Sequence, residues 1–161
     1  MSPYLIIRNM IIRFILFLVL NFAALGVGGL YSEGGATSDW YNELNRAPWT
    51  PPGWVFGVAW TFIMLCFAVY MAFAWQSTSN QKRLAVLYSV QWILNSAWSP
   101  VFFRYHMVNW GLIIILALTA LIAYFLFAQR SRLKAKTVFV LPYFLWLLIA
   151  VSLNAYISLE N

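Results

Sequence analysis

Residues 108–128 read VNWGLIIILALTALIAYFLFA, a run with no acidic or basic side chain. At ~1.5 Å per residue, a helix of this length crosses the roughly 30 Å hydrocarbon core of a bilayer. Four further apolar stretches of similar length lie at about 11–31, 54–75, 84–103 and 138–157. Backbone N–H and C=O groups find no partner in lipid, so segments this apolar are predicted to be helices. The composition agrees, with 63% hydrophobic and only 9% charged residues in 161, where soluble domains carry about 25% charged residues. Mean hydropathy is +0.77. The chain therefore reads as a single all-α domain over 1–161, an integral membrane bundle of five transmembrane helices with one long loop at 32–53.

Arg8 and Arg13 precede the first stretch, as they would in a signal peptide. The apolar run from Phe14 to Leu30 exceeds the ~7–15 residues of a signal-peptide core, so a retained helix is expected. With five crossings, Arg8, Arg13, Lys82, Arg83, Arg130, Arg132, Lys134 and Lys136 fall on one side. The other side holds only Arg46 and Arg104, with all the acidic residues: Glu33, Asp39, Glu43 and Glu160. Basic loops stay inside during insertion, which predicts the N-terminus inside and the C-terminus outside. The net charge of +6 thus serves topology and contact with membrane lipid, and no nucleic-acid motif accompanies it.

The long loop leads into residues 40–60, WYNELNRAPWTPPGWVFGVAW, where Trp40, Trp49, Trp54 and Trp60 surround Pro48, Pro51 and Pro52. Proline fixes φ and removes a donor, so this segment is predicted to form a stiff turn that ends where the next helix starts. Indoles are broad, flat and carry one N–H each. A rigid aromatic lid over an apolar helix suits a flat apolar ligand.

Below the lid, three spans carry aromatic and amide residues at three- and four-residue steps, which share a helix face. They are Tyr88, Gln91, Asn95, Trp98 and Phe102, then Tyr143, Trp146, Ala150 and Asn154, then Phe56, Trp60, Met64 and Phe67. Asn and Gln commonly bond between transmembrane helices, but three such stripes under one lid point to a ligand cavity. The Asn21, Ala24 and Gly28 spacing in the first span reads as a packing or dimer surface. After Arg13 no Asp, Glu, Lys, Arg or His lies clearly within a span, which argues against a pump or ion-coupled transporter. The lone Cys66 excludes an intramolecular disulfide, and lone His106, in the turn before residue 108, has no partners for a zinc site. No metal and no required cofactor are expected, and nucleophilic catalysis lacks a base.

In this arrangement the chain resembles the TspO/MBR family, the tryptophan-rich sensory or translocator proteins, also called peripheral-type benzodiazepine receptors. The resemblance rests on Trp40-Tyr41 with Leu44, and on Pro51-Pro52 followed by Phe56 and Trp60. It continues in Gln91, Leu94-Asn95, Trp98, Pro100 and Phe102-Phe103, and in Pro142-Tyr143, Trp146, Ala150 and Leu153-Asn154. It implies a five-helix bundle, usually a homodimer, in the bacterial cell membrane for a member of bacterial type. It also implies a cavity for tetrapyrroles such as protoporphyrin IX and for drug-like benzodiazepine or isoquinoline ligands. By position, that cavity is expected to include Tyr41, Pro51, Phe56, Trp60, Gln91, Asn95, Trp98, Trp110, Trp146 and Ala150. Arg46 and Arg104, on the lid side, are the expected partners of porphyrin propionates.

Two departures accompany the resemblance. The family's basic residue–Pro pair is here Arg46-Ala47-Pro48, with the proline displaced by one. Tyr156 is followed only by Ile157, Ser158, Leu159, Glu160 and Asn161, so the cholesterol motif of eukaryotic members is absent and tight cholesterol binding is not expected. Three readings stay open: a receptor or sensor for tetrapyrroles, a light-driven porphyrin-degrading enzyme acting through Trp60 and Trp146, and a porphyrin or lipid transporter.

Overall fold

The structure, a computed structural model, describes residues 3–161. Its long helices are α1 (Pro3–Leu30), α3 (Gly53–Ser77), α4 (Gln81–Ser99), α5 (Val108–Ala128) and α7 (Leu141–Glu160). Two short ones, α2 (Asp39–Glu43) and α6 (Arg130–Leu133), lie in the loops. α1 packs on α3 and α4, α4 on α5, and α5 on α7, while α7 meets α3 more sparsely to close a ring. The protein is an all-α membrane bundle.

Four stretches are long and apolar enough to cross a membrane: Tyr4–Thr37, Gly53–Ser77, Val108–Ala128 and Arg130–Glu160. α4 is not among them, because it trades apolar residues for Gln81, Lys82, Arg83, Gln91 and Asn95. Its pattern is nevertheless that of a lipid-embedded helix. Gln91 and Asn95 are buried, whereas Val86, Val90 and Ile93 face outward. Polar side chains turn inward because hydrocarbon cannot satisfy them.

Helix ends differ from the expected spans for local reasons. α1 starts at Pro3 rather than near residue 11, as nothing in Pro3–Met10 breaks a helix except the Pro tolerated in its first turn. The span expected at 84–103 divides at Pro100, where a π-helical turn, Pro100–Arg104, carries the chain to Tyr105. Without an N–H, Pro100 donates nothing to the α-helical ladder, and its carbonyl accepts from the Tyr105 N–H at 3.0 Å in the wider turn. The last span starts as a tight 3₁₀ turn, Lys134–Val140, before α7 begins beside Pro142. The loop at 32–53 holds a 3₁₀ turn, Gly35–Thr37, and α2, capped by Ser38.

Interior polar groups bond across the helices. Asn21 Nδ2 donates to the Met64 carbonyl at 3.0 Å, and the Tyr88 hydroxyl donates to Asn21 Oδ1 at 2.7 Å. Those two bonds join α1, α3 and α4 at a single side chain. Trp92 Nε1 donates to the Leu20 carbonyl, and the Tyr70 hydroxyl to the Phe125 carbonyl. Around them Met64, Phe67, Met71, Ile115, Leu118, Ile122, Phe125 and Leu147 are fully or almost fully buried. This filled half lies toward the basic loops.

Asn21→Ala is expected to destabilise the bundle by about 1–2 kcal/mol, the scale of an interhelical bond in a membrane protein. A lowered unfolding midpoint in detergent checks it, with exposed Asn42→Ala as the variant expected to change little.

Candidate functional site

Close packing of α3 stops partway along its length. In α3 every buried residue lies at or beyond Ile63, and the turns from Gly53 to Phe62 are half-buried or exposed. On that loop side a cleft of about 480 Å³ opens between α1, α3 and α4, with Trp60, Asn95 and Trp98 in its lining. Glycines frame it. A Cβ added at Gly26, Gly29 or Gly57 would meet nothing within 4 Å, whereas one at Gly28 would touch Ser96 and Ser99 at 3.5 Å. Gly28 therefore lets α1 approach α4, and its neighbours leave the cleft empty. The small-residue spacing expected to serve packing or a dimer thus also shapes a cleft.

The cleft's inner wall is aromatic and continues toward α7. The Trp60 ring meets Tyr143 edge-on at 5.7 Å, and Phe56 meets Trp146 at 5.5 Å. Gln91 Nε2 donates to the Tyr143 hydroxyl at 2.9 Å. Trp98 stacks on Phe102 at 5.4 Å and donates Nε1–H to Asn154 Oδ1 at 3.2 Å. Asn154 Nδ2 in turn donates to the Val108 carbonyl at 3.1 Å. Three polar atoms of this layer are buried with no partner: Gln91 Oε1, Asn95 Nδ2 and Trp146 Nε1. Leaving such a group unpaired costs roughly 1–3 kcal/mol, and native interiors leave few.

The long loop is tied down above this layer. Ser38 Oγ accepts from the Tyr41 N–H, which seats Tyr41 against Phe102, Phe103 and Ile157. Burial pushes the Tyr41 phenol pKa up, opposed by the Arg46 guanidinium, which lies 5.4 Å from the ring centroid. The displaced Pro48 follows Ala47, whose carbonyl accepts from the Thr50 N–H at 2.9 Å, so it occupies the second position of a β-turn. Beyond it, Pro52 caps α3. The loop is fastened to the end of α7: Asn45 N–H donates to Asn161 Oδ1 at 2.9 Å, and Asn161 Nδ2 donates to the Asn45 carbonyl at 3.2 Å. Trp49 Nε1 also donates to Ser152 Oγ at 3.1 Å. A groove of about 760 Å³ with Arg46, Pro51, Tyr156 and Glu160 in its lining runs beside this fastening.

The expected site residues therefore fall into groups. Trp60, Asn95 and Trp98 share the cleft, with Gln91 one turn deeper. Phe56, Trp146 and buried Ala150 occupy the α3–α7 seam. Tyr41 anchors the loop, and Pro51 with Arg46 lines the groove beside it. Two residues lie elsewhere. Trp110 is 57% exposed and shares an outer groove with Trp40 and His106. Its neighbour Gly111 takes the inward position, where an added Cβ would come within 3.1 Å of Phe102; one residue along a helix turns the next side chain by about 100°. Arg104 reaches Glu33 at 3.4 Å. The stripes also extend past the cleft, since Met64, Phe67 and Tyr88 belong to the filled half. Sequence reasoning missed the Asn45–Asn161 fastening and the stack of His106 on Trp40 at 4.1 Å. It noted Tyr143 without assigning it the hinge position between Gln91 and Trp60.

The profile of the TspO/MBR family matches residues 15–159. A tryptophan-rich protein TspO of Archaeoglobus fulgidus is 31% identical over 144 residues, covering 89% of this chain and 94% of the relative. The human translocator protein is 30% identical over 128 residues, 76% of this chain and 75% of its own. Protein CrtK of Rhodobacter capsulatus is 29% identical over 147 residues, 88% of each.

The double variant Asn45→Ala/Asn161→Ala is expected to loosen the loop without unfolding the helices. Hydrogen exchange should show faster exchange in residues 44–50 and unchanged protection in α5.

Proposed function

We propose, from the premise that the chain belongs to the TspO/MBR family, that it is a membrane receptor or sensor whose loop-side cleft receives a tetrapyrrole such as protoporphyrin IX. Benzodiazepine- or isoquinoline-type molecules would compete for the same space. One observation carries this reading: polar atoms buried without partners in an aromatic layer beside an open cleft. Asn95 Nδ2 and Trp146 Nε1 are donors, so the complementary group is an oxygen acceptor, a propionate or an amide carbonyl. Gln91 Oε1 accepts, and suits an N–H. The cleft's about 480 Å³ falls in the ~300–1,000 Å³ range of small-molecule sites.

Trp60 and Trp98 supply flat apolar faces for the macrocycle. Arg46, free of any carboxylate partner among the described residues and lining the groove by the loop, is the propionate partner this reading favours. Arg104 is the weaker choice, since Glu33 already engages it. Orientation follows from the basic loops: they lie inside, in a bacterial cell membrane, and the fastened loop lies outside. A homodimer is part of the same proposal, on family grounds.

The half-buried indoles of Trp60 and Trp146, each in the aromatic layer, favour a second reading, light-driven porphyrin breakdown. A paired titration separates the two. In the dark, protoporphyrin IX should quench tryptophan fluorescence with its own spectrum intact, and Trp60→Ala should weaken binding about three- to tenfold, the scale of one lost aromatic contact. Unchanged affinity in that variant would count against the cleft. Under illumination, loss of porphyrin absorbance that Trp146→Phe abolishes and Trp75→Phe leaves intact would establish the degrading enzyme; uptake into proteoliposomes would point to a carrier.

A further inference from the structure

At the opposite end of the bundle, α5, α6, the 3₁₀ turn and α7 enclose a groove of about 490 Å³. Its walls include Phe127, Leu141 and Leu145, all of which face outward toward lipid. Its remaining lining includes two cations, Arg130 and Lys134. Neither has a carboxylate partner among the described residues, where the single ion pair is Arg104–Glu33. The acidic residues cannot reach it. Glu33, Asp39 and Glu43 sit in the long loop, and Glu160 sits at the end of α7 that the loop is bonded to. A third feature is Thr137, which borders the groove and is only 6% exposed, its hydroxyl unpaired.

We propose that this groove is a binding site for one anionic phospholipid from the leaflet at the basic end. Its phosphate lies between Arg130 and Lys134, and an acyl chain runs along Phe127, Leu141 and Leu145. The Thr137 hydroxyl supplies a donor for an ester oxygen. Charge complementarity selects the anionic headgroup, and the continuity of the apolar wall with the lipid-facing surface selects a bilayer lipid over a water-soluble anion. The site is separate from the aromatic layer and does not depend on what that layer binds.

Native mass spectrometry of the delipidated protein tests this with phosphatidylglycerol and phosphatidylcholine of the same acyl chains. The expected result is one phosphatidylglycerol retained per chain at concentrations where phosphatidylcholine is lost. Arg130→Gln/Lys134→Gln should weaken retention about thirtyfold, two basic contacts' worth, and Leu141→Trp should block it with both charges in place. Lys82→Gln/Arg83→Gln removes the same charge from the same end and should leave retention unchanged. Equal retention of the two lipids, equal loss in both double variants, or displacement by oleate as readily as by phosphatidylglycerol would overturn the proposal. Unaltered helical circular dichroism and an unaltered unfolding midpoint in detergent identify variants that remain folded.

Discussion

Lipid offers no hydrogen bonds, so every polar side chain inside this bundle depends on another part of the same chain. The architecture follows from that constraint. Asn21 serves two helices at once through Met64 and Tyr88, and Trp98, Asn154 and Val108 form a relay from α4 through α7 to α5. Each bond is worth little more in a membrane than in water, but each fixes which helix faces meet. Apolar surface cannot do this, because hydrocarbon outside and hydrocarbon inside are nearly equivalent.

The same constraint leaves the two ends of the molecule differently satisfied. Toward the basic loops the interior is filled by Phe67, Tyr70, Met71, Ile122 and Phe125, with Tyr70 satisfied by a carbonyl. Toward the long loop, Gln91 is half satisfied, and Asn95 and Trp146 hold unpaired atoms. Rigidity in one half holds the donors of the other in position. Binding would then require little reordering, which keeps its entropic cost low.

Much of the fold was legible because it rests on local signals. The bounds of α5 are visible as an uninterrupted apolar run, and the polar–aromatic face of α4 is visible as a four-residue step through Gln91 and Asn95. What escaped reading depends on contacts distant in sequence. Trp110 looked equivalent to the other indoles, yet Gly111 must face Phe102, and that approach decides the rotation of the helix. The Asn45–Asn161 bonds join residues 116 apart and leave no spacing to recognise. Pro100 was expected to pass within a span. Its missing N–H instead produced a π-helical turn, a local cause with a result that sequence alone does not choose between kink and stop.

Gly26, Gly29 and Gly57 line the cleft without side chains, which leaves Phe22 and Thr61 as the exposed lining residues able to swing across it. At the glycines themselves no rotamer change can narrow the doorway; beyond what those two side chains do, narrowing it requires moving α1 relative to α3, and α1 is held to α3 and α4 through Asn21. Whatever enters would then be sorted by Phe22 and Thr61 at the doorway and by the fit of the room behind them.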